Sequence, residues 1–267
     1  LRPVACGPSL TGRCLGPLLR GSSPFARGIP RSIGHAHKPM PHLRHRTTVR
    51  CVTYTGRSQV GAPPQTRTLG EITVTKIAVG ELDNNAYLLT DAATGENLLI
   101  DAAAEPRALL AQLPDQRLDA VVTTHRHADH WGALAQVVAA TGASTMAGEF
   151  DADAIGVPTD RRLGDGDNIP LGSTNLTVIH LAGHTPGHIA LHLQAADGSH
   201  HVFTGDCLFP GGVGRTTDET FEQLYTDVTT KVFDRFDDDT WIYPGHGWDT
   251  TLGAERPHLQ EWRERGW

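Results

Sequence analysis

Apolar and polar positions switch between two periods along this chain. Runs of β-branched residues, leucine and alanine predict strands at 72–79 (ITVTKIAV), 86–90 (AYLLT) and 97–103 (NLLIDAA), with Thr/Gly turns between them. A buried strand is expected at 118–124 (LDAVVTT), three more at 175–183, 189–194 and 201–206, and a short last one at 240–245 (TWIYPG). Helices are expected at 106–113, where Pro106 stands at the start, and at 131–142, where Gly142 ends the pattern. A third is expected at 218–236, where Phe221, Leu224, Val228, Val232, Phe233 and Phe236 recur three and four residues apart and mark one apolar face. Hairpin-linked strands joined by helices that come late predict an α/β fold with sheets covered on their outer faces. No G-x-G-x-x-G opens a helix, so nothing supports a dinucleotide fold.

Composition divides the chain in two. Residues 1–70 hold no Asp or Glu and 11 of the 23 Lys and Arg, so residues 71–267 carry 12 basic and 30 acidic groups, a formal charge of −18. A body this acidic excludes nucleic-acid binding through its folded part. Residues 1–67, rich in Gly, Pro, Arg and Ser, read as a basic, disordered leader, and 68–267 as one folded domain. The leader fits a start-site artefact, with Val52 as a natural beginning, or an organelle-targeting segment. No apolar run reaches the length of a membrane span. Of four cysteines, Cys6, Cys14 and Cys51 lie in the leader, and Cys207 alone lies in the body, which fits a reducing, cytoplasmic setting.

The candidate chemistry sits where strands end. His125, His127, Asp129 and His130 (THRHADH) follow the strand ending at Thr124. His184 (AGHTPGH), Asp206 (FTGDCLF) and His246 (YPGHG) each follow another strand, beside Gly or Pro turns. If these ends share one edge, seven N/O donors converge. Seven are too many for one tetrahedral zinc and suit two metals with a bridging carboxylate. Imidazole and carboxylate without thiolate fit Zn, Fe or Mn. Such a pair holds a hydroxide nucleophile at neutral pH.

In this order, THRHADH, GHTPGH, FTGDCLF and YPGHG resemble the motifs of the metallo-β-lactamase superfamily over about 190 residues. The resemblance implies a four-layer αββα sandwich with the site at one edge of its sheets. It implies His125, His127 and His184 on a first metal, Asp129, His130 and His246 on a second, and Asp206 between them. It implies that Asp101 (LLIDAA) supports these ligands from behind, and it makes His188 a supporting residue rather than a ligand. FTGDCLFPGGVGRT and PGHGWDTTLGAERPHLQEW are similar to the glyoxalase II-like branch, which hydrolyses thioesters of hydroxyacids. The expected cofactors are two divalent ions, zinc first. The expected mechanism is attack by a bridging hydroxide, with Asp129 orienting the nucleophile or handling its proton. The likeness to full-length glyoxalase II fades after His246, where that enzyme adds a glutathione-holding helical domain, so it carries thioester hydrolysis without carrying glutathione.

The expected partner is a small-molecule substrate, with neither nucleic acid nor membrane. Arg215 (GVGRTT) is the candidate for binding a substrate carboxylate. A mono-iron persulfide dioxygenase using His125, His184 and Asp206 is the rival within the superfamily, with lactonase and β-lactamase as further hydrolytic alternatives. Cys207 is expected to be a buried small residue, Tyr87 a core residue, and His200 and His201 solvated turn residues.

Overall fold

The computed structural model describes residues 54–267. The leader readings for residues 1–53, with Val52 and three of the cysteines, fall outside the described residues. A seven-stranded sheet runs in chain order: β1 (Gln65–Leu69), β2 (Ile72–Val79), β3 (Asn84–Asp91), β4 (Asn97–Ile100), β5 (Ala120–Thr123), β6 (Ser144–Gly148) and β7 (Arg161–Leu163). The connections decide the pairing. Short turns make β1 to β4 antiparallel, whereas the crossovers through helices α1 (Pro106–Leu110) and α2 (Leu134–Thr141) make β4, β5 and β6 parallel.

The second sheet is built from β8 (Asn168–Leu171), β9 (Thr174–His180), β10 (Ile189–Gln194) and β11 (His200–Gly205) as an antiparallel meander. A small hairpin, β12 (Leu208–Phe209) with β13 (Gly212–Val213), follows. Helix α3 (Asp218–Val228) then carries the chain back, so that β14 (Trp241–Pro244) pairs parallel to β11, and β15 (Thr250–Thr251) closes the edge. Helices α4 (Leu252–Glu255) and α5 (Leu259–Arg265) finish the chain. None of the described helices is long and apolar enough to cross a membrane.

Three apolar clusters account for four layers. Leu89, Leu98, Ile100 and Val122 of the first sheet meet Val178, Leu191, Phe203 and Tyr243 of the second in a shared central core. Leu88, Leu99 and Val121, on the opposite face of the first sheet, pack under Leu109 of α1 and Leu134 and Val137 of α2. Ile179, Ala190, Val202 and Ile242 point outward from the second sheet under Phe221, Leu224 and Val228 of α3 and Trp262 of α5. Alternate residues of one strand thus feed different cores, as a pleated strand between two layers requires. The fold is the expected αββα sandwich.

Most element ends shift by a few residues, as with α1, which stops at Leu110, and two differences from the expected boundaries go further. The helix expected across 218–236 is α-helical to Val228 and then widens into a π-turn at Thr229–Phe233. The one-residue shift keeps Val232 and Phe233 buried and lets Lys231 Nζ donate to the carbonyl of His180 at 2.7 Å. The folded body also reaches back past residue 68. Tyr54 donates its hydroxyl to Asp249 at 2.6 Å, Ser58 is buried against Asn85, and β1 starts at Gln65. Composition does not announce this segment because it attaches through single polar and aromatic contacts rather than an apolar stripe.

Candidate metal centre

Strand direction brings the expected donors together. The parallel strands β4, β5 and β6 end at one edge of the first sheet, delivering Asp101, His125 and the loop at Asp151. In the second sheet β9, β11 and β14 share one direction, and their ends deliver His184, Asp206 and His246. Asn84 at the start of β3 bridges to His246, joining the two edges. Three donor sets form there, each with its atoms within 4.8 Å of one another: His125, His127 and His184; His125, His130 and Asp206; Asp129, His130 and His246. All seven expected donors are in at least one set.

The outer hydrogen bonds of each ring decide what its inner nitrogen offers. His184 Nδ1 faces the Arg215 carbonyl at 2.7 Å and His246 Nδ1 faces the Leu82 carbonyl at 2.8 Å. A carbonyl only accepts, so both Nδ1 atoms carry the proton and both neutral rings present a bare Nε2. His130 Nδ1 lies 2.8 Å from Asp101 Oδ2, with the same result. The Thr124 hydroxyl gives its single proton to Asp101 Oδ2 at 2.8 Å, so its oxygen, 3.0 Å from His125 Nδ1, accepts from that ring. His125 Nε2 is therefore bare as well.

These bare nitrogens crowd one another. His127 Nδ1 is 2.9 Å from His125 Nε2 and 3.0 Å from His184 Nε2, and one proton cannot serve both contacts. His130 Nε2 and His246 Nε2 are 3.2 Å apart. Asp206 lies between the groups, its Oδ2 3.7 Å from His184 Nε2 and 3.4 Å from His246 Nε2. Its Oδ1 is buried 3.3 Å from His130 Nε2 and has no hydrogen-bond partner once that ring is neutral, as a metal ligand must be. Convergent lone pairs and an orphaned carboxylate oxygen need cations in their midst, and two fit.

The electrostatics agree. Burial and the neighbouring His130 and His188 rings push His125 well below the ordinary histidine range, and burial likewise lowers His184. Burial also works against a charged His130, yet Asp101 and Asp206 outweigh it and push this ring up to about 10. His246 is raised for the same reason, with Asp206 overcoming burial. Burial alone would raise Asp206, but His130 and His246 hold it well below the usual carboxylate range. The carboxylates thus set a field that favours positive charge at this spot.

His188 lies behind the donors and in none of their sets. It accepts the backbone N–H of Asp206 on Nε2 at 3.0 Å and stacks under His125 with ring centroids 4.9 Å apart. Gly245 is required nearby, since a Cβ there would collide with Asp206 Oδ1 and His130 Cε1. Cys207 is buried and in none of the donor sets, and Tyr87 is a core residue whose hydroxyl donates to the Pro244 carbonyl. His201 corrects its expectation: it is 2% exposed, with Nδ1 against the Tyr243 hydroxyl, because β11 starts at His200 and turns this side chain inward.

Sequence reasoning missed four groups. Asn84 donates to Asp129 Oδ2 at 2.9 Å, and Asn85 donates to the carbonyls of Pro244 and Gly247 on either side of His246. Asp151, fully buried, accepts from the loops of both His127 and His184. Arg126 joins Arg215 along a cleft of about 650 Å³ that opens over His127 and His184. Nothing in the spacing of these residues signals the site, apart from Arg126 lying inside THRHADH.

The sequence profile of the metallo-beta-lactamase superfamily matches residues 79–246. A hydroxyacylglutathione hydrolase from Cereibacter sphaeroides is 37% identical over 186 residues, spanning 66% of this chain and 70% of that one. Another from Fuscovulum blasticum is 39% identical, over 55% of this chain and 56% of that one. The chain spans 56% to 70% of the length of such relatives. A protein solved in a di-iron-bound form superposes with a TM-score of 0.57 at 32% identity, over 68% of this chain and 96% of that one.

Proposed function

The chain belongs to the metallo-beta-lactamase superfamily, among its glyoxalase II-like members, and from that premise we propose that it hydrolyses thioesters of hydroxyacids with the help of two divalent ions. The observation that carries this reading is the convergence of bare imidazole nitrogens and the orphaned Asp206 oxygen. His125, His127 and His184 would hold the first ion, Asp129, His130 and His246 the second, with Asp206 between. Zinc suits the donors, as do iron and manganese. When bound, the pair supplies a water-derived nucleophile near neutral pH and polarises the substrate carbonyl.

The chain's own groups do the rest. Asp129 is half-buried; burial opposes its charge, but the Asn84 hydrogen bond and His130 keep it below the usual carboxylate range. An ionised carboxylate held at one oxygen by Asn84 is placed to orient the attacking water and accept its proton. Arg126 and Arg215, from opposite loops, offer positive charge at the cleft mouth on an otherwise acidic body, so the thiol half of the substrate carries an anionic group. Its thiolate leaves without acid assistance. The relatives' name supports a hydroxyacyl thioester of glutathione as the first substrate to test.

The test is apoprotein reconstituted with Zn(II), Fe(II) or Mn(II) and assayed on a hydroxyacyl thioester, a lactone, a β-lactam and a low-molecular-weight persulfide with an oxygen electrode. Thioester turnover that rises with the second ion bound is expected. Oxygen uptake with one iron, and no thioester turnover, overturns the reading.

A further inference from the structure

We propose that Asp151 is a positioning residue that sets the separation of His127 and His184, and so the affinity of the first metal subsite; this rests on the two-ion reading above. Asp151 lies beyond the end of β6, in none of the donor sets, and is fully buried. Its Oδ2 accepts the backbone N–H of Arg126 at 3.1 Å and the hydroxyl of Thr185 at 2.5 Å. Its Oδ1 accepts the backbone N–H of Gly187 at 3.0 Å. One carboxylate thus grips the residue before His127 and the residue after His184, from two loops nearly sixty residues apart in sequence. Those two rings meet at 3.0 Å.

The grip is held on every side. The Arg126 carbonyl accepts the Trp131 indole N–H at 2.9 Å, so the peptide between His125 and His127 is fixed at both ends. On the other loop, a Cβ on Gly187 would collide with the backbone nitrogen of Asp151, so the loops touch at backbone distance. Only a carboxylate satisfies this place. In Asp151→Asn the side-chain NH₂ would face either the Gly187 N–H or the Arg126 N–H, leaving one buried backbone donor unpaired whichever way the amide turns. The guanidinium of Arg126 stays at 3.9 Å from Asp151 Oδ1 and partly exposed, free to face the cleft.

The experiment titrates Co(II) into full-length apoprotein of wild type, Asp151→Asn, Asp151→Ala and Thr185→Val. Each ion's affinity is read by chelator competition. Its subsite is read from the hyperfine-shifted imidazole N–H signals of His125 and His184, or of His130 and His246. The expected result is a first-subsite affinity about 10–100-fold weaker in Asp151→Asn, weaker still in Asp151→Ala, and a second subsite nearly unchanged. Thr185→Val removes one donor and leaves the carboxylate, so it keeps the test alive if the Asp151 variants fail to fold; it is expected to weaken the first subsite alone, several-fold. Equal loss at both subsites, or no loss at either, overturns the positioning role while the two-ion reading stands. Wild type that takes up no ion at His125, His127 and His184 overturns both.

Discussion

Asp101 Oδ2 lies 2.8 Å from His130 Nδ1 and 2.8 Å from the Thr124 hydroxyl, which in turn accepts from His125. One carboxylate therefore sets the proton on two rings that share one donor set and each belong to a further one. Asp101 has a positive φ of 58°, a conformation asparagine tolerates well. Asp101→Asn is expected to keep the fold and allow His130 to move its proton to Nε2, closing that lone pair. Isothermal titration with Zn(II) should give a second-ion affinity at least about 10-fold weaker, with melting temperature little changed.

Asp206→Ala removes the orphaned Oδ1 and the carboxylate between the rings. Loss of paired-metal binding and of hydrolysis is expected, together with an apoprotein no more stable than the parent, since the carboxylate that offsets the raised His130 and His246 rings is gone. Calorimetry of both apoproteins, beside activity, checks this. A fully active variant would rule out the two-ion scheme.

Removing the ions from the parent is expected to lower its melting temperature by an amount that grows with the ratio of free ion to dissociation constant. At a thousandfold excess the difference is about 4 kcal/mol. Thermal scans over a series of buffered zinc concentrations measure it.

Replacing Arg126 or Arg215 by Ala is expected to raise KM about 10-fold for a thioester whose thiol carries a carboxylate, with kcat little altered, and to spare a neutral thiol carrier. Steady-state kinetics on the two carriers separates these outcomes. A loss of kcat on both would assign the arginines to the chemistry itself.

His201 makes the sandwich sensitive to acid away from the metal centre. Burial, then the Arg67 cation, lowers it from 6.5 to about 4. Between those values the unfolded chain binds a proton that the folded chain refuses, so stability is full above 6.5 and falls as pH drops toward 4. Urea unfolding at successive pH values should show that slope, and His201→Phe should reduce it, leaving the share of His192, which burial lowers to about 4 as well.

Most of the architecture is legible in the sequence because buried strands and the apolar face of α3 repeat at their own periods. The expected strand at 189–194 matches β10 residue for residue, and the one at 72–79 matches β2. Strand β6 (STMAG) is invisible there, since a short parallel strand of small residues has neither alternation nor β-branched weight. The candidate ligands are legible because metal chemistry demands particular side chains beside turns. Asn84, Asn85 and Asp151 are not, because a group that works by hydrogen-bonding a distant backbone has no local pattern; only the fold says which backbone it meets.

The pair of Lys76 and Asp249 is hidden for the same reason. Lys76 occupies an ordinary polar position of β2 in the sequence, yet its ammonium lies 2.6 Å from Asp249 with both side chains fully enclosed. Lys76 Nζ also donates to the Gly247 and Gly56 carbonyls, which ties β2 to the segment after His246. A lone enclosed charge would be costly, and the carboxylate with two carbonyls supplies every partner the ammonium can take.

The donors stand on strand ends from both sheets, and the last of them follows β14, which pairs beside β11 across the crossover through α3. Without that pairing, the chain would offer an ion only the THRHADH loop and a few loose imidazoles. Ions held by all seven donors would therefore act as a clasp across the two sheets, favouring the folded chain over the unfolded one.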